Sequence, residues 1–111
     1  RLKVVTFGAR GSLVLWQDMV IHFRGFNVKS IDTTGAGDAF MAGLLASIAN
    51  KGLPMNFPEL QLAITQASAT GALATTKKGA LTALPDTAAL ETFINHFPLP
   101  GYEILGATAT V

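Results

Sequence analysis

Apolar residues recur at two different periods along this chain, and the change falls at one polar stretch. Before it, short β-branched runs end at turn formers. Leu2-Lys3-Val4-Val5-Thr6-Phe7 reads as a strand stopped by Gly8, with Gly8-Ala9-Arg10-Gly11 as a turn. Ser12 to Trp16 reads as a second strand, turned at Gln17-Asp18, and Val20 to Phe23 as a third, ending near Arg24-Gly25. Phe26 to Lys29 is short and extended. Strands this short and closely spaced predict a hairpin or meander at a sheet edge.

After the polar stretch the period lengthens. From Ala36 to about Asn50, Phe40, Leu44 and Ile48 recur at helical spacing, with Met41 and Leu45 alongside. Gly52 and Pro54 stop that helix, and Pro58 opens the next. There Leu60, Ile64 and Ala67 line one face up to about Thr75. Ala63, Ala67, Ser68, Gly71 and Ala72 are small enough for close approach to a sheet or a ligand. Lys77 to Ala80 reads as a loop. Asp86 suits the cap of a third helix, Thr87 to about His96, with Leu90, Phe93 and Ile94 inward. The tail from Tyr102 has weak strand character and no assigned place. The fold class expected is α/β, strands first and helices packed on them.

No charged residue stands between Asp38 and Lys51, or between Glu59 and Lys77. A surface helix normally carries a charged face. These two helices are expected to be buried nearly all round, with part of their packing partner upstream of Arg1 or in another subunit, as in a homodimer. The absence of a starting Met points the same way.

Composition removes several function classes. The chain has 111 residues, 50% hydrophobic and 14% charged, which suits one small folded domain. A net charge of +1 makes no electrostatic case for nucleic acid or an acidic membrane surface. No cysteine is present, so disulfides, thiolate metal sites and cysteine nucleophiles are excluded. No stretch reads as a signal peptide or a membrane span. His22 and His96 have no second ligand at metal spacing, which argues against protein-bound zinc. Trp16 is most simply strand packing.

The polar stretch itself is Ile31-Asp32-Thr33-Thr34-Gly35-Ala36-Gly37-Asp38-Ala39-Phe40. Glycines at the mouth of a helix let several backbone N–H groups point at one spot, and the macrodipole makes that spot attractive to anions. Asp38 falls in the first turn, where it is either a capping acid or a carboxylate held beside a bound anion. An anion cradle next to a fixed carboxylate is what phosphoryl transfer needs. The stretch lacks the Gly-Lys-Ser/Thr of a P-loop and the third glycine of a dinucleotide turn.

The unbroken string Asp32 to Phe40 resembles the C-terminal signature of the ribokinase-like (PfkB-type) carbohydrate kinases. The similarity extends from about Val4 to Ile94. Val4-Val5-Thr6-Phe7-Gly8-Ala9-Arg10-Gly11 is similar to that family's nucleotide-side turn, and Gly71 to Pro85 to the segment closing over the nucleotide and a monovalent cation. The bacterial fructokinase and aminoimidazole riboside kinase branch is the most similar. Members are much longer, so the resemblance implies the C-terminal third of a cytoplasmic sugar kinase. The implied fold is part of a mostly parallel sheet flanked by helices. The part with most sugar contacts, the lid and an acidic metal-associated motif is expected upstream.

The same resemblance implies residue roles. Asp38 aligns with the general base that takes the proton of the acceptor hydroxyl, and Gly35, Ala36 and Gly37 with the anion hole. Thr6, Gly8 and Gly11 match the turn along the ribose and phosphates of ATP, where a plain β-turn is the alternative. Ser68 falls near the adenine. Asp32, Thr34, Ala74, Lys77, Gly79 and Ala83 match positions around a potassium ion, although relatives often carry a hydroxyl where Ala83 stands. Asp32 is otherwise a turn acid. Magnesium would arrive with ATP and be held mostly by phosphates and water. Arg10 lies in the Gly8 to Gly11 turn, within reach of phosphate, but reads more simply as a solvated arginine, while Lys77 and Lys78 read equally as a phosphate clamp or a solvated loop. The implied partners are ATP and a small sugar or nucleoside. The rival readings are a nucleotide-binding regulatory module without turnover and a structural fragment that neither folds alone nor binds.

Overall fold

Four strands pair in chain order, each antiparallel to the next, and three helices complete the computed structural model, which describes residues 2–30, 33, 35–76 and 87–107. The strands are β1 (Leu2–Thr6), β2 (Ser12–Trp16), β3 (Met19–Phe23) and β4 (Tyr102–Ala107). The helices are α1 (Ala36–Lys51), α2 (Phe57–Thr75) and α3 (Thr87–His96). A single 3-10 turn, Gly8–Arg10, joins β1 to β2.

Alternation along the strands decides which face meets the helices. Ser12, Val14 and Trp16 of β2 and Ile21 and Phe23 of β3 are buried, while Val5 of β1 points away and is 51% exposed. The β2–β3 hairpin turns through Gln17 and Asp18 at φ 46° and 63°. Two left-handed residues in a two-residue loop match the right-handed twist of the strands they join.

The expected meander is present, with one strand more than anticipated. The unplaced tail is β4, which pairs with β3 through Phe23↔Tyr102 and Ile21↔Ile104. The register then shifts to Val20↔Gly106, so Leu105 is an extra residue that breaks the two-residue period. Phe26 to Lys29 forms no strand. The sheet expected from the resemblance is mostly parallel, whereas the described strands are all antiparallel; the five-residue connection from β1 to β2 and the two-residue loop from β2 to β3 leave no room for a parallel crossover.

α2 accounts for much of the burial. Its Leu60, Ala63, Ile64 and Ala67 join Phe40 and Leu44 of α1 against Val14, Trp16, Ile21 and Phe23 of the sheet. Its Ala69 joins a second cluster with Phe26 and with Phe93 of α3, where Leu90 and Ile94 also pack. An element buried in two clusters has little surface to charge. The Asn56 side chain caps it, accepting from the Glu59 N–H at 2.9 Å, while the Glu59 carboxylate accepts from the Met55 N–H at 2.9 Å. α1 departs from the expectation of all-round burial: its Met41 and Leu45 are exposed. Small residues set the α1–α2 approach. A Cβ on Gly43 would lie 2.8 Å from Thr70 Oγ1, and one on Gly71 3.1 Å from the Ala36 carbonyl oxygen. The cap expected at Asp86 lies outside the described residues.

Candidate functional site

The end of β1, the start of α1, the chain at 25–30 with Thr33, and the C-terminal half of α2 enclose one cleft of about 210 Å³. Each wall follows from local sequence. After Thr6 the chain turns through Gly8–Arg10 and is closed by two backbone bonds. The Phe7 N–H donates to the Gly11 carbonyl at 2.8 Å, and the Gly11 N–H to the Gly8 carbonyl at 3.0 Å. This turn packs against the chain leaving β3. Gly11 has φ 97°, and a Cβ there would run into the Phe23 carbonyl. A Cβ on Gly25 would lie 2.7 Å from the Ala9 carbonyl oxygen. Two glycines thus let two backbone segments meet and form one wall.

The second wall is the opening of α1. Gly35 caps it in the left-handed region at φ 78° with no side-chain cap bond. The Ala36 N–H donates to the Thr33 carbonyl at 3.2 Å and the Ala39 N–H to the Gly35 carbonyl at 2.9 Å. The first N–H groups of a helix have no intrahelical acceptor, and the macrodipole adds partial positive charge there. Gly37 faces Thr6: a Cβ on it would be 3.8 Å from Thr6 Oγ1. The turn after β1 and the mouth of α1 are therefore neighbours in space.

The third wall is α2, through Ser68, Gly71, Ala72 and Thr75. The Ser30 hydroxyl donates to Thr75 Oγ1 at 3.2 Å, and the Thr75 hydroxyl to the Ala72 carbonyl at 2.7 Å, which ties the connecting segment to this helix. Phe26 and Val28 supply apolar surface. The polar side chains among the described lining residues are all hydroxyls, and none is charged. A neutral cleft with a helix N-terminus at one end suits a ligand with an anionic group and a flat apolar portion. Its anion would be held by backbone dipoles rather than by paired charges.

Thr6, Gly8, Gly11, Ala36, Gly37 and Ser68, singled out in the sequence, line this one cleft. Gly35 sits beside it as the cap of α1. Asp38 is in the first turn of α1 with an exposed side chain, and it is not among the lining residues. Ala74 is buried in the last turn of α2, also outside the lining. Asp32, Thr34, Lys77, Gly79 and Ala83 lie outside the described residues, as does Lys78. Arg10 is exposed and does not line the cleft. Sequence reasoning did not single out Phe26, Val28 and Ser30 for the site. Phe26 and Val28 carried an extended pattern, whereas nothing local marks Ser30 and Thr75 as partners. Gly71 and Ala72 were flagged as small residues, and with Thr75 they begin the Gly71–Pro85 segment that the resemblance expects to close over the nucleotide. Among the described residues no group of three or more His, Cys, Asp or Glu side chains is placed to hold a metal. The His22 Nε2 meets the Arg10 carbonyl at 2.8 Å, and His96 Nδ1 meets the Thr92 carbonyl at 2.9 Å. No described helix is long and apolar enough to cross a membrane.

The sequence profile of the pfkB family carbohydrate kinases matches residues 1–87. A fructokinase of Salmonella thompson is 54% identical over 84 residues, which cover 76% of this chain and 38% of that protein. The aminoimidazole riboside kinase of Salmonella enterica, solved with aminoimidazole riboside and an ATP analogue, superposes with a TM-score of 0.74 at 41% identity. That match covers 84% of this chain and 31% of the kinase. A double mutant of the Vibrio cholerae O395 fructokinase, solved with fructose, ADP and a potassium ion, superposes at 0.71 with 46% identity. It covers 84% of this chain and 30% of the enzyme. The chain thus spans about a third of the length of these proteins.

Proposed function

This chain belongs to the pfkB family of carbohydrate kinases, and from that premise we propose that it is the C-terminal, nucleotide-binding and catalytic portion of a cytoplasmic sugar kinase. The reaction is transfer of the γ-phosphoryl group of ATP to a hydroxyl of fructose, with aminoimidazole riboside or another nucleoside or sugar as the alternative acceptor. The observation that carries this reading is the meeting of the Gly8–Arg10 turn, the mouth of α1 and Ser68 in one neutral cleft.

In this reading Thr6, Gly8 and Gly11 run along the ribose and phosphates, and Ser68 lies toward the adenine. Gly35, Ala36 and Gly37 steady the charge on the transferring phosphoryl oxygens through backbone N–H groups. Asp38 accepts the proton from the acceptor hydroxyl as its oxygen bonds to the γ-phosphorus and the bond to the ADP oxygen breaks. Its exposed position, just outside the cleft wall, leaves it open to an acceptor held by the remainder of the kinase. Magnesium held by the phosphates and water, and potassium at Asp32, Thr34, Ala74, Lys77, Gly79 and Ala83, would add fixed positive charge beside the phosphates. Alanine at 83 offers no side-chain ligand, so backbone oxygens would supply that position.

A second reading has one observation in its favour: Asp38 does not line the cleft. A nucleotide-binding module without turnover would look the same. The two separate in an assay of ADP release by the protein at its full natural length. MgATP is supplied with and without potassium, against fructose, ribose, aminoimidazole riboside and adenosine. The kinase reading expects turnover on one acceptor, cut about a hundredfold or more by Asp38→Asn. ATP binding with no acceptor turned over would favour the regulatory module.

A further inference from the structure

The wall made by the Gly8–Arg10 turn is thin. Three backbone bonds close the stretch Phe7–Gly11 on itself: Arg10 N–H to the Phe7 carbonyl at 3.3 Å, with the two closing bonds through Gly11. Bonds that close a loop on itself fix its shape and leave its position to packing. A side chain from β3 reaches it. His22, half-buried in the middle of the sheet on β3, places Nε2 2.8 Å from the Arg10 carbonyl. A carbonyl only accepts, so Nε2 carries the proton and donates. Arg10 is followed directly by Gly11, which lines the cleft together with Gly8 and Ala9. His22 is itself held on both sides, opposite Leu13 of β2 and Glu103 of β4.

We propose that His22 is a positioning residue that pins the Gly8–Arg10 turn to the sheet and so fixes the cleft wall along which the nucleotide lies. It touches neither nucleotide nor acceptor; it acts through the Arg10 carbonyl. The nucleotide part of this inference rests on the kinase reading above. The turn begins at Gly8 and is followed by Gly11, both at positive φ, and it packs backbone to backbone against the chain leaving β3. The bond from His22 on β3 supplies its anchor.

The test uses the full-length protein with His22→Leu, which keeps bulk and removes the donor, and His22→Gln, whose amide N–H restores one. Hydrogen–deuterium exchange of the peptide covering residues 7–12 reads the anchor directly. Steady-state kinetics with MgATP and fructose read its service to the nucleotide. His22→Leu is expected to speed exchange in that peptide and raise KM for MgATP about fivefold, as loss of one such bond allows. kcat and the KM for fructose stay at the wild-type level, and His22→Gln recovers both readouts. Unchanged exchange in His22→Leu overturns the proposal, as does faster exchange with an unchanged KM for MgATP. A fall in kcat that glutamine does not rescue also overturns it. If wild-type protein turns over no acceptor, the kinase reading fails on its own. Exchange and the ATP dissociation constant from equilibrium dialysis then decide the role of His22. Absence of ATP binding overturns both.

Discussion

At the residue scale the site depends more on what side chains leave out than on what they add. Gly25 and Gly11 allow the turn after β1 to touch the chain leaving β3, and Gly37 keeps the mouth of α1 open beside Thr6. Of these, Gly25 tests the geometry most cleanly. A methyl group there would sit 2.7 Å from the Ala9 carbonyl oxygen, a backbone atom that cannot rotate away. The turn must move, and the wall of the cleft with it. Overpacking of this kind costs about 1–3 kcal/mol. Spent against nucleotide binding, that range predicts a rise in the ATP dissociation constant of about 5- to 150-fold for Gly25→Ala, measured by equilibrium dialysis. Binding unchanged in that variant would show that the turn yields without moving the wall. The importance of Gly11 was legible in the sequence through the family pattern. That of Gly25 was not, because its neighbour Ala9 is close only after the β2–β3 hairpin has formed.

At the scale of elements, all three helices and three of the four strands follow from local pattern. The spacing of Phe40, Leu44 and Ile48 and that of Leu60, Ile64 and Ala67 mark buried faces that the fold buries or half-buries. β4 was the strand without an assigned place, for a physical reason. Its bulge at Leu105 breaks the alternation, and its partner β3 lies far away in the chain. The helix pair makes a second prediction. Gly43 and Thr70 meet so closely that a β-branched side chain at 43 has nowhere to go: its Cβ alone would lie 3.0 Å from Thr70 Cβ. Gly43→Val is expected to lower stability by about 2 kcal/mol. The midpoint of urea unfolding should fall with the slope unchanged, and an unaltered midpoint would mean that α1 can slide on α2 at little cost.

At the scale of the whole molecule, apolar surface remains open. Leu45 and Leu53 are about 60% exposed and Met55 is 78% exposed, while Val5 and Leu105 lie uncovered on the strands. A kinase also needs walls on the acceptor side, and the described cleft offers Asp38 only from outside its lining. The 111-residue chain by itself is therefore expected to show no kinase turnover. Sugar-dependent ADP release from the purified chain, lost on Asp38→Asn, would overturn that expectation.

The periods, the helix caps at Gly35 and Gly52, and the polar string that marks the family can all be read along the chain. Each is a property of neighbours along the chain, set by rotamer, backbone and spacing preferences that act within a few residues. It took the folded arrangement to show that β4 extends the sheet, that Ser30 bonds to Thr75, that Gly25 faces Ala9 and that His22 reaches Arg10. Those contacts join segments whose separation carries no periodic trace. They form because burying the shared apolar face of sheet and helices brings the segments together, and the cleft lies where their ends meet.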